Sequence, residues 1–217
     1  MSHKQVLEGI AALSCLMPFV AYVWARRRLN GLPFRLLGAW ITIQLLGALI
    51  VWGADIAGMN TAWLQMGVLW IIFILVLAYY ARLYPTPGAK RMLAGLLAIN
   101  ILLLALAVPF AATPAGKYAL FAFITFGLLS VPAVYFLYKL LTHPAKRELW
   151  YCHVIIHVGL LVYGVGNALA LSLTLFFEKY LEPLLINVGF AMWGIHILLS
   201  IIVNLLYTFA IICQSRK

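Results

Sequence analysis

The chain has 217 residues, of which 66% are hydrophobic and only 9% are charged. This composition excludes a water-soluble domain and requires a lipid bilayer as the solvent. The formal net charge is +10, but the basic residues lie in short loops between apolar segments, so they indicate membrane orientation and contact with lipid headgroups and not nucleic-acid binding.

Seven apolar runs predict seven membrane-spanning helices. Each run ends at charged residues, proline, glycine or asparagine, and crossing the hydrocarbon takes roughly 20 residues per helix. The predicted helices cover residues 6–25, 33–55, 61–83, 91–112, 118–141, 149–176 and 183–213. No alternating pattern typical of a barrel wall appears. We therefore predict an all-α, polytopic membrane protein in which residues 1–217 form a single seven-helix transmembrane domain.

Lysine and arginine are distributed unequally between the two sides of the predicted bundle. One side holds only Lys4, Lys117 and Lys179, whereas the other twelve of the 15 basic residues fall in the loops after the first, third and fifth helices and in the C-terminal tail. Basic loops stay in the cytoplasm. The pattern predicts an N-terminus outside, a C-terminus inside, and a location in the bacterial cytoplasmic membrane.

Two prolines in the middle of predicted helices are compatible with an internal repeat. Pro18 and Pro132 occupy similar places in the first and fifth helices, and with Pro109 they are predicted to kink their helices. The second and sixth helices each carry a glycine beside a polar residue. A parallel repeat of three plus one plus three helices is compatible with these features and stays an open alternative.

Polar side chains within the membrane are the candidates for function, because each must be paired in the bundle or lie in a polar cavity. The sixth and seventh helices hold most of them. Interhelical hydrogen bonding, ligand binding and proton handling are the alternatives for this set. The candidate ligand-binding or polar-core residues are His157, Asn167, His196, Asn204 and Tyr207.

The depth of each side chain predicts which of them meet. A rise of 1.5 Å per residue places His157 level with Asn204, and Asn167 within about one turn of His196. Because a short loop joins the sixth and seventh helices, we expect them to pack side by side. Two polar contacts, His157 with Asn204 and Asn167 with His196, are therefore predicted between them.

The sequence contains no recognisable motif for a metal site, a cofactor site or an enzyme active site. His153 and His157 supply only two ligands four residues apart, and His196 lies roughly 13 Å away in depth. The seventh helix has no lysine for a retinal Schiff base, and the chain contains no Ser-His-Asp set and no phosphate-binding loop. We expect no metal, no cofactor and no enzymatic activity.

Three short stretches of the sixth and seventh helices carry a resemblance. Residues 163–167 (YGVGN), 193–196 (WGIH) and 204–208 (NLLYT) resemble the C-terminal part of a group of short, uncharacterised bacterial seven-helix membrane proteins. The resemblance covers about the last seventy residues and implies the seven-helix layout but no activity. The overall layout is also similar to small sugar and vitamin transporters, from which this chain departs by lacking a Pro-Gln pair.

The sequence favours a receptor-like or sensor-like module that binds a small or lipophilic ligand in the bundle. Its expected partners are membrane lipids and a cytoplasmic signalling protein that docks on basic loops such as residues 26–28 and 146–147, and homo-oligomerisation is left open. Two alternatives remain: a small-solute transporter of the three-plus-one-plus-three type, and a structural subunit of a membrane complex. An inward or outward cavity at the midplane, lined by residues from both repeats, is expected for a transporter. A closed pocket that opens to the outside or to lipid is expected for a sensor, and a packed bundle without a pocket for a structural subunit.

Overall fold

The computed structural model describes residues 3–29, 31–107, 114–142, 147–180 and 185–215. This part of the chain is helical and holds no strand. The helices are α1 His3–Ser14, α2 Leu16–Ala25, α3 Leu32–Ile56, α4 Ala62–Leu83, α5 Pro87–Ala107, α6 Pro114–Thr142, α7 Arg147–Tyr180 and α8 Leu185–Ser215. Seven segments are long and apolar enough to cross a membrane, with α1 and α2 together forming the first. The predicted all-α fold with seven membrane-spanning helices is confirmed.

The first crossing is interrupted at Cys15, and Pro18 explains the interruption. Proline has no N–H, and its ring collides with the carbonyl four residues earlier, which here belongs to Ser14. The helix α1 ends at Ser14, where the Cys15 N–H donates to the Ala12 carbonyl over 3.2 Å, and α2 begins one residue later. By contrast, α6 continues through Pro132. Pro109 lies outside the described residues.

Six of the seven crossings form a closed ring. The α1–α2 crossing packs on α3, and contacts then run from α3 to α4, α6, α7 and α8, which packs back on α1 and α2. Within the described residues, α5 contacts only α4 and α6 and lies outside the ring. The first three crossings therefore form one side of the ring, the last three form the other, and α5 connects them.

Glycines on α7 allow its neighbours to approach closely. A Cβ atom on Gly159 would lie 2.8 Å from the Tyr207 ring, and one on Gly164 would lie 2.9 Å from the carbonyl oxygen of Phe126. A Cβ on Gly166 would lie 2.6 Å from the Leu199 side chain. Small residues serve this packing role in membrane helices, so these glycines bring α6 and α8 against α7.

Aromatic side chains fill one half of the ring. We call the end of the bundle where α1 begins the amino-terminal end, and the end where α8 finishes the carboxy-terminal end. Near the carboxy-terminal end, Tyr79, Tyr80, Phe136 and Tyr207 are fully buried, and Tyr84 stacks on Phe136 with ring centroids 4.0 Å apart. These five residues form the aromatic cluster. It closes the interior of the ring on that side.

Candidate ligand-binding cavity

A cavity of about 420 Å³ lies in the amino-terminal half of the ring. Six helices, α1, α3, α4, α6, α7 and α8, contribute to its wall. Small side chains line it, including Ala12, Ala48 and Ala170. Because these residues project little into the ring, space remains where the carboxy-terminal half is filled by aromatic rings. The volume lies within the range of roughly 300–1,000 Å³ that is typical of small-molecule sites.

The wall of the cavity is mostly apolar and carries a limited set of polar groups. Small-molecule sites are usually lined by apolar side chains with a few polar side chains at specific positions. Among the described residues, no lysine or arginine lines the cavity. The polar and aromatic lining residues are Glu8, Cys15, Gln44, Trp52, Gln65, Tyr118, Phe126, Tyr163, Asn167, His196 and Ser200.

Asn167 and His196 form a hydrogen-bonded pair in this wall. The Nδ1 atom of His196 on α8 is hydrogen-bonded to Oδ1 of Asn167 on α7. The Asn167 Nδ2 atom donates to the carbonyl oxygen of Tyr163 on its own helix over 2.8 Å. The contact predicted between these two residues from their depth is therefore confirmed. The structure adds that both side chains line the cavity.

Asn204 does not meet His157, so this predicted contact is wrong. Its Nδ2 atom donates to Ser14 Oγ over 2.8 Å, and its Oδ1 accepts from Gln44 Nε2 over 3.2 Å. The Nδ1 atom of His157 is instead hydrogen-bonded to the His153 carbonyl on its own helix. Depth along a helix does not determine which side of the helix a residue faces. The face of α8 that carries Asn204 is directed towards Ser14 on α1 and Gln44 on α3, away from His157.

His157 and His153 lie in the carboxy-terminal half, outside the cavity lining. His153 Nδ1 is hydrogen-bonded to the Tyr79 hydroxyl over 2.9 Å. His157 is fully buried, and its ring packs edge-on against Tyr80 with centroids 5.1 Å apart. Its Nε2 atom has no hydrogen-bond partner in the described part of the chain. His157 therefore belongs to the packing around the aromatic cluster and not to the cavity.

Tyr207 also lies in the aromatic cluster. Its ring packs edge-on against Trp40 with centroids 5.0 Å apart, and it covers Gly159. Its hydroxyl is buried and has no partner among the described residues, as is true of the hydroxyls of Tyr80 and Tyr84. Tyr84 follows the last residue of α4, and burial raises the pKa of its hydroxyl above its usual value. These phenols are therefore neutral packing groups.

Two of the five candidates, Asn167 and His196, line the cavity, whereas His157, Asn204 and Tyr207 do not. Asn204 reaches the lining indirectly through its hydrogen bond with Gln44. Within the described residues, no group of three or more His, Cys, Asp or Glu side chains is placed to hold a metal ion.

The sequence-based reasoning missed most of the lining residues on the first three crossings. Gln44 and Gln65 are isolated polar residues in apolar helices, a pattern that by itself favours hydrogen bonding between helices. Glu8 is an acidic residue near the beginning of the first apolar run. The sequence feature that could have identified them is that each is a single polar residue in an apolar segment. Their convergence on one cavity depends on the order of helices in the ring.

No family model, curated protein or solved structure significantly matches this chain. The resemblance carried by residues 163–167, 193–196 and 204–208 therefore stays a prediction. Function must be argued from the cavity itself.

Proposed function

We propose that this protein is a receptor-like or sensor-like membrane module that binds a small, lipophilic ligand in the cavity. The observation that carries the proposal is the combination of an apolar cavity of about 420 Å³ with the Asn167–His196 pair in its wall. The small and aliphatic side chains of the wall would contact the apolar part of the ligand. The polar pair would orient the ligand.

The position of the cavity supports a receptor-like role over a purely structural one. A structural subunit needs a packed bundle and has no use for a cavity that removes packing contacts. Here the wall combines α1, α3 and α4 from one side of the ring with α6, α7 and α8 from the other. A ligand that contacts both sides shifts their relative arrangement to the extent that it binds one arrangement more tightly than another.

Exposed basic residues support the proposed orientation and a cytoplasmic partner. The residues are Arg26, Arg27, Arg35, Arg82, Lys90 and Arg91, and all of them are exposed at the carboxy-terminal end. Basic residues accumulate on the cytoplasmic side of membrane proteins. We therefore place this end in the cytoplasm of a bacterial cell and the cavity in the outer half of the membrane. The same basic surface would contact anionic lipids or an acidic signalling protein. Residues 143–146 lie outside the described part of the chain.

A small-solute transporter is the second candidate, and both the ring order and the lining of the cavity from both sides of the ring favour it. The first and last three crossings occupy opposite sides of the ring with α5 as a connector, which is the order that a three-plus-one-plus-three repeat requires. Transport would also require the side chains of the aromatic cluster to move apart, so that the cavity opens towards the carboxy-terminal end. Uptake of a bound solute into sealed proteoliposomes would favour this candidate, and binding without uptake favours the receptor.

Binding can be tested with borneol, a compact bicyclic alcohol, and with Cys15 as the reporter. Of the three cysteines, Cys15 lines the cavity, so it is studied after replacement of Cys152 and Cys213 by alanine. In lipid nanodiscs we expect borneol to slow the modification of Cys15 by methyl methanethiosulfonate. If borneol at saturating concentration leaves the rate of modification unchanged, the proposed function is wrong.

A matched pair of asparagine variants separates binding from general packing. Asn167 and Asn100 are both buried, but Asn100 on α5 is hydrogen-bonded to Thr125 and Trp70, outside the cavity. We expect Asn167→Ala to weaken protection by borneol about tenfold, because His196 loses the hydrogen bond that orients its ring in the wall. Asn100→Ala should leave protection unchanged. Equal loss in both variants would contradict a specific role for the cavity.

A further inference from the structure

Three hydrogen-bond chains end in the wall of the cavity, and each begins at a backbone carbonyl. A carbonyl oxygen only accepts, so the first side chain in each chain must donate to it. This requirement determines the direction of every later hydrogen bond in the chain. The last side chain of each chain lines the cavity. The directions of the preceding hydrogen bonds decide whether its remaining polar atom is a donor or an acceptor.

The first chain runs through Asn167 to His196. Asn167 Nδ2 donates to the Tyr163 carbonyl over 2.8 Å, which determines the orientation of the amide. Asn167 Oδ1 therefore faces His196, and His196 Nδ1 must carry the proton of that bond. In a neutral imidazole with a proton on Nδ1, Nε2 is an acceptor. His196 thus offers an acceptor to the cavity that it lines.

The second chain runs from α1 through α8 to α3. Ser14 Oγ donates its only proton to the Ala11 carbonyl over 2.7 Å, so it accepts from Asn204 Nδ2 over 2.8 Å. Asn204 Oδ1 then accepts from Gln44 Nε2 over 3.2 Å. The amide oxygen of Gln44 remains. Gln44 lines the cavity, so this chain also ends in an acceptor.

The third chain is short and gives the same result. Ser200 Oγ donates to the His196 carbonyl over 2.9 Å and keeps only its lone pairs. Glu8 also lines the wall and has a partner of its own within the protein. Trp52 Nε1 already donates to the Gln5 carbonyl over 2.9 Å. Tyr163 is hydrogen-bonded to Ser200, whose proton is already used, so the Tyr163 hydroxyl donates and only its oxygen remains as an acceptor. The Tyr118 hydroxyl is able to donate or accept.

From these directions we infer that the cavity selects apolar molecules that carry a hydrogen-bond donor, namely alcohols and amines, over ketones, ethers and anions of the same shape. This inference rests on the proposed function and names the ligand class of the same site. A donor group satisfies an acceptor that would otherwise be buried without a partner, whereas a carbonyl oxygen at the same place leaves both acceptors unpaired. An anion finds no lysine or arginine in the described lining to balance its charge.

Four compounds on one carbon skeleton test the inference in the unmodified lining. Borneol and bornylamine carry a donor, camphor carries only a carbonyl acceptor, and bornane carries no polar group. Protection of Cys15 is measured for each compound, with the reagent and the nanodiscs used above. We expect borneol and bornylamine to protect at concentrations about tenfold lower than camphor, as one satisfied hydrogen bond predicts. Bornanecarboxylate, the matched anion, should give no protection.

The results separate this inference from the proposed function. If camphor protects as well as borneol, or if the carboxylate protects better than either, the ligand class is wrong while ligand binding stands. If none of the five compounds protects, including bornane, both are wrong. Because these comparisons need no substitution in the lining, they do not depend on how well a variant folds.

Variants then locate the acceptors. His196→Phe removes Nε2 but keeps a planar ring, and Gln44→Leu removes the amide oxygen. Each should reduce the preference for borneol over camphor several-fold while bornane protection is kept. Asn100→Leu is the control, because Asn100 lies outside the cavity lining, and it should leave the preference intact. An unchanged preference in both lining variants would overturn the assignment of the acceptors.

Discussion

Asn204 on α8 donates a hydrogen bond to Ser14, the last residue of α1, over 2.8 Å. The Asn204 Nδ2 atom also approaches Cys15 Sγ at 3.4 Å. The last crossing is thereby attached to the first at the point where Pro18 interrupts it. Since Asn204 also accepts from Gln44, one fully buried side chain joins α1, α3 and α8.

Replacement of Asn204 by alanine should therefore destabilise the bundle. Interhelical hydrogen bonds in membranes contribute about 0.6 kcal/mol each on average, and the loss also leaves buried groups of Gln44 and Ser14 unpaired, so we expect a total of about 1–2 kcal/mol. Thr208→Ala is the control, because its hydroxyl bonds only to the Asn204 carbonyl on its own helix. Reversible unfolding in mixed micelles measures the difference. Equal stability of the two variants would contradict the joining role.

Two neighbouring tyrosines should respond in opposite ways to loss of the hydroxyl. Tyr79 bonds to His153 Nδ1 over 2.9 Å, whereas the buried Tyr80 hydroxyl has no partner among the described residues. Tyr79→Phe should lower the free energy of unfolding by about 1 kcal/mol. Tyr80→Phe should be neutral or stabilising, because it removes a polar group that is buried without a partner. The same unfolding assay compares them, and a larger loss in Tyr80→Phe would refute the assignment.

Two glycines provide a test of close helix packing. A Cβ on Gly164 would lie 2.9 Å from the Phe126 carbonyl oxygen, whereas one on Gly67 would meet nothing within 4 Å. Because the contact at Gly164 is with backbone, α6 and α7 would have to separate. We expect Gly164→Ala to cost about 1–3 kcal/mol and Gly67→Ala to be neutral or slightly stabilising. Thermal unfolding in nanodiscs provides the measurement, and comparable melting temperatures would show that the two helices tolerate wider spacing.

Orientation can be checked by labelling single cysteines in intact cells. Met59 in the α3–α4 loop and Arg27 after α2 are both exposed and lie at opposite ends of the bundle. In a background without the three native cysteines, Met59→Cys should react with a membrane-impermeant maleimide. Arg27→Cys should react only after the cells are permeabilised, because the basic end is expected in the cytoplasm. The reverse pattern would invert the proposed topology and place the cavity on the cytoplasmic side.

The depth of a residue in the bundle is predictable from sequence, but the direction it faces is not. The same rise per residue placed Asn167 beside His196 correctly and Asn204 beside His157 incorrectly. In the first case α7 and α8 turn the two side chains towards each other. In the second, the rotation of α8 in the ring turns Asn204 away from His157 and towards Gln44 and Ser14.

The sequence alone determined that the chain is helical and crosses the membrane seven times, because hydrocarbon requires about 20 apolar residues per crossing and backbone hydrogen bonds within each segment. The interruption near Pro18 also followed from local chemistry. Only the tertiary structure decided that six crossings close into a ring, that small side chains such as Ala12 and Ala48 line a cavity in one half, and that aromatic rings fill the other. A cavity depends on which helices are neighbours and how each is rotated, and neither is encoded in the local pattern of any single helix.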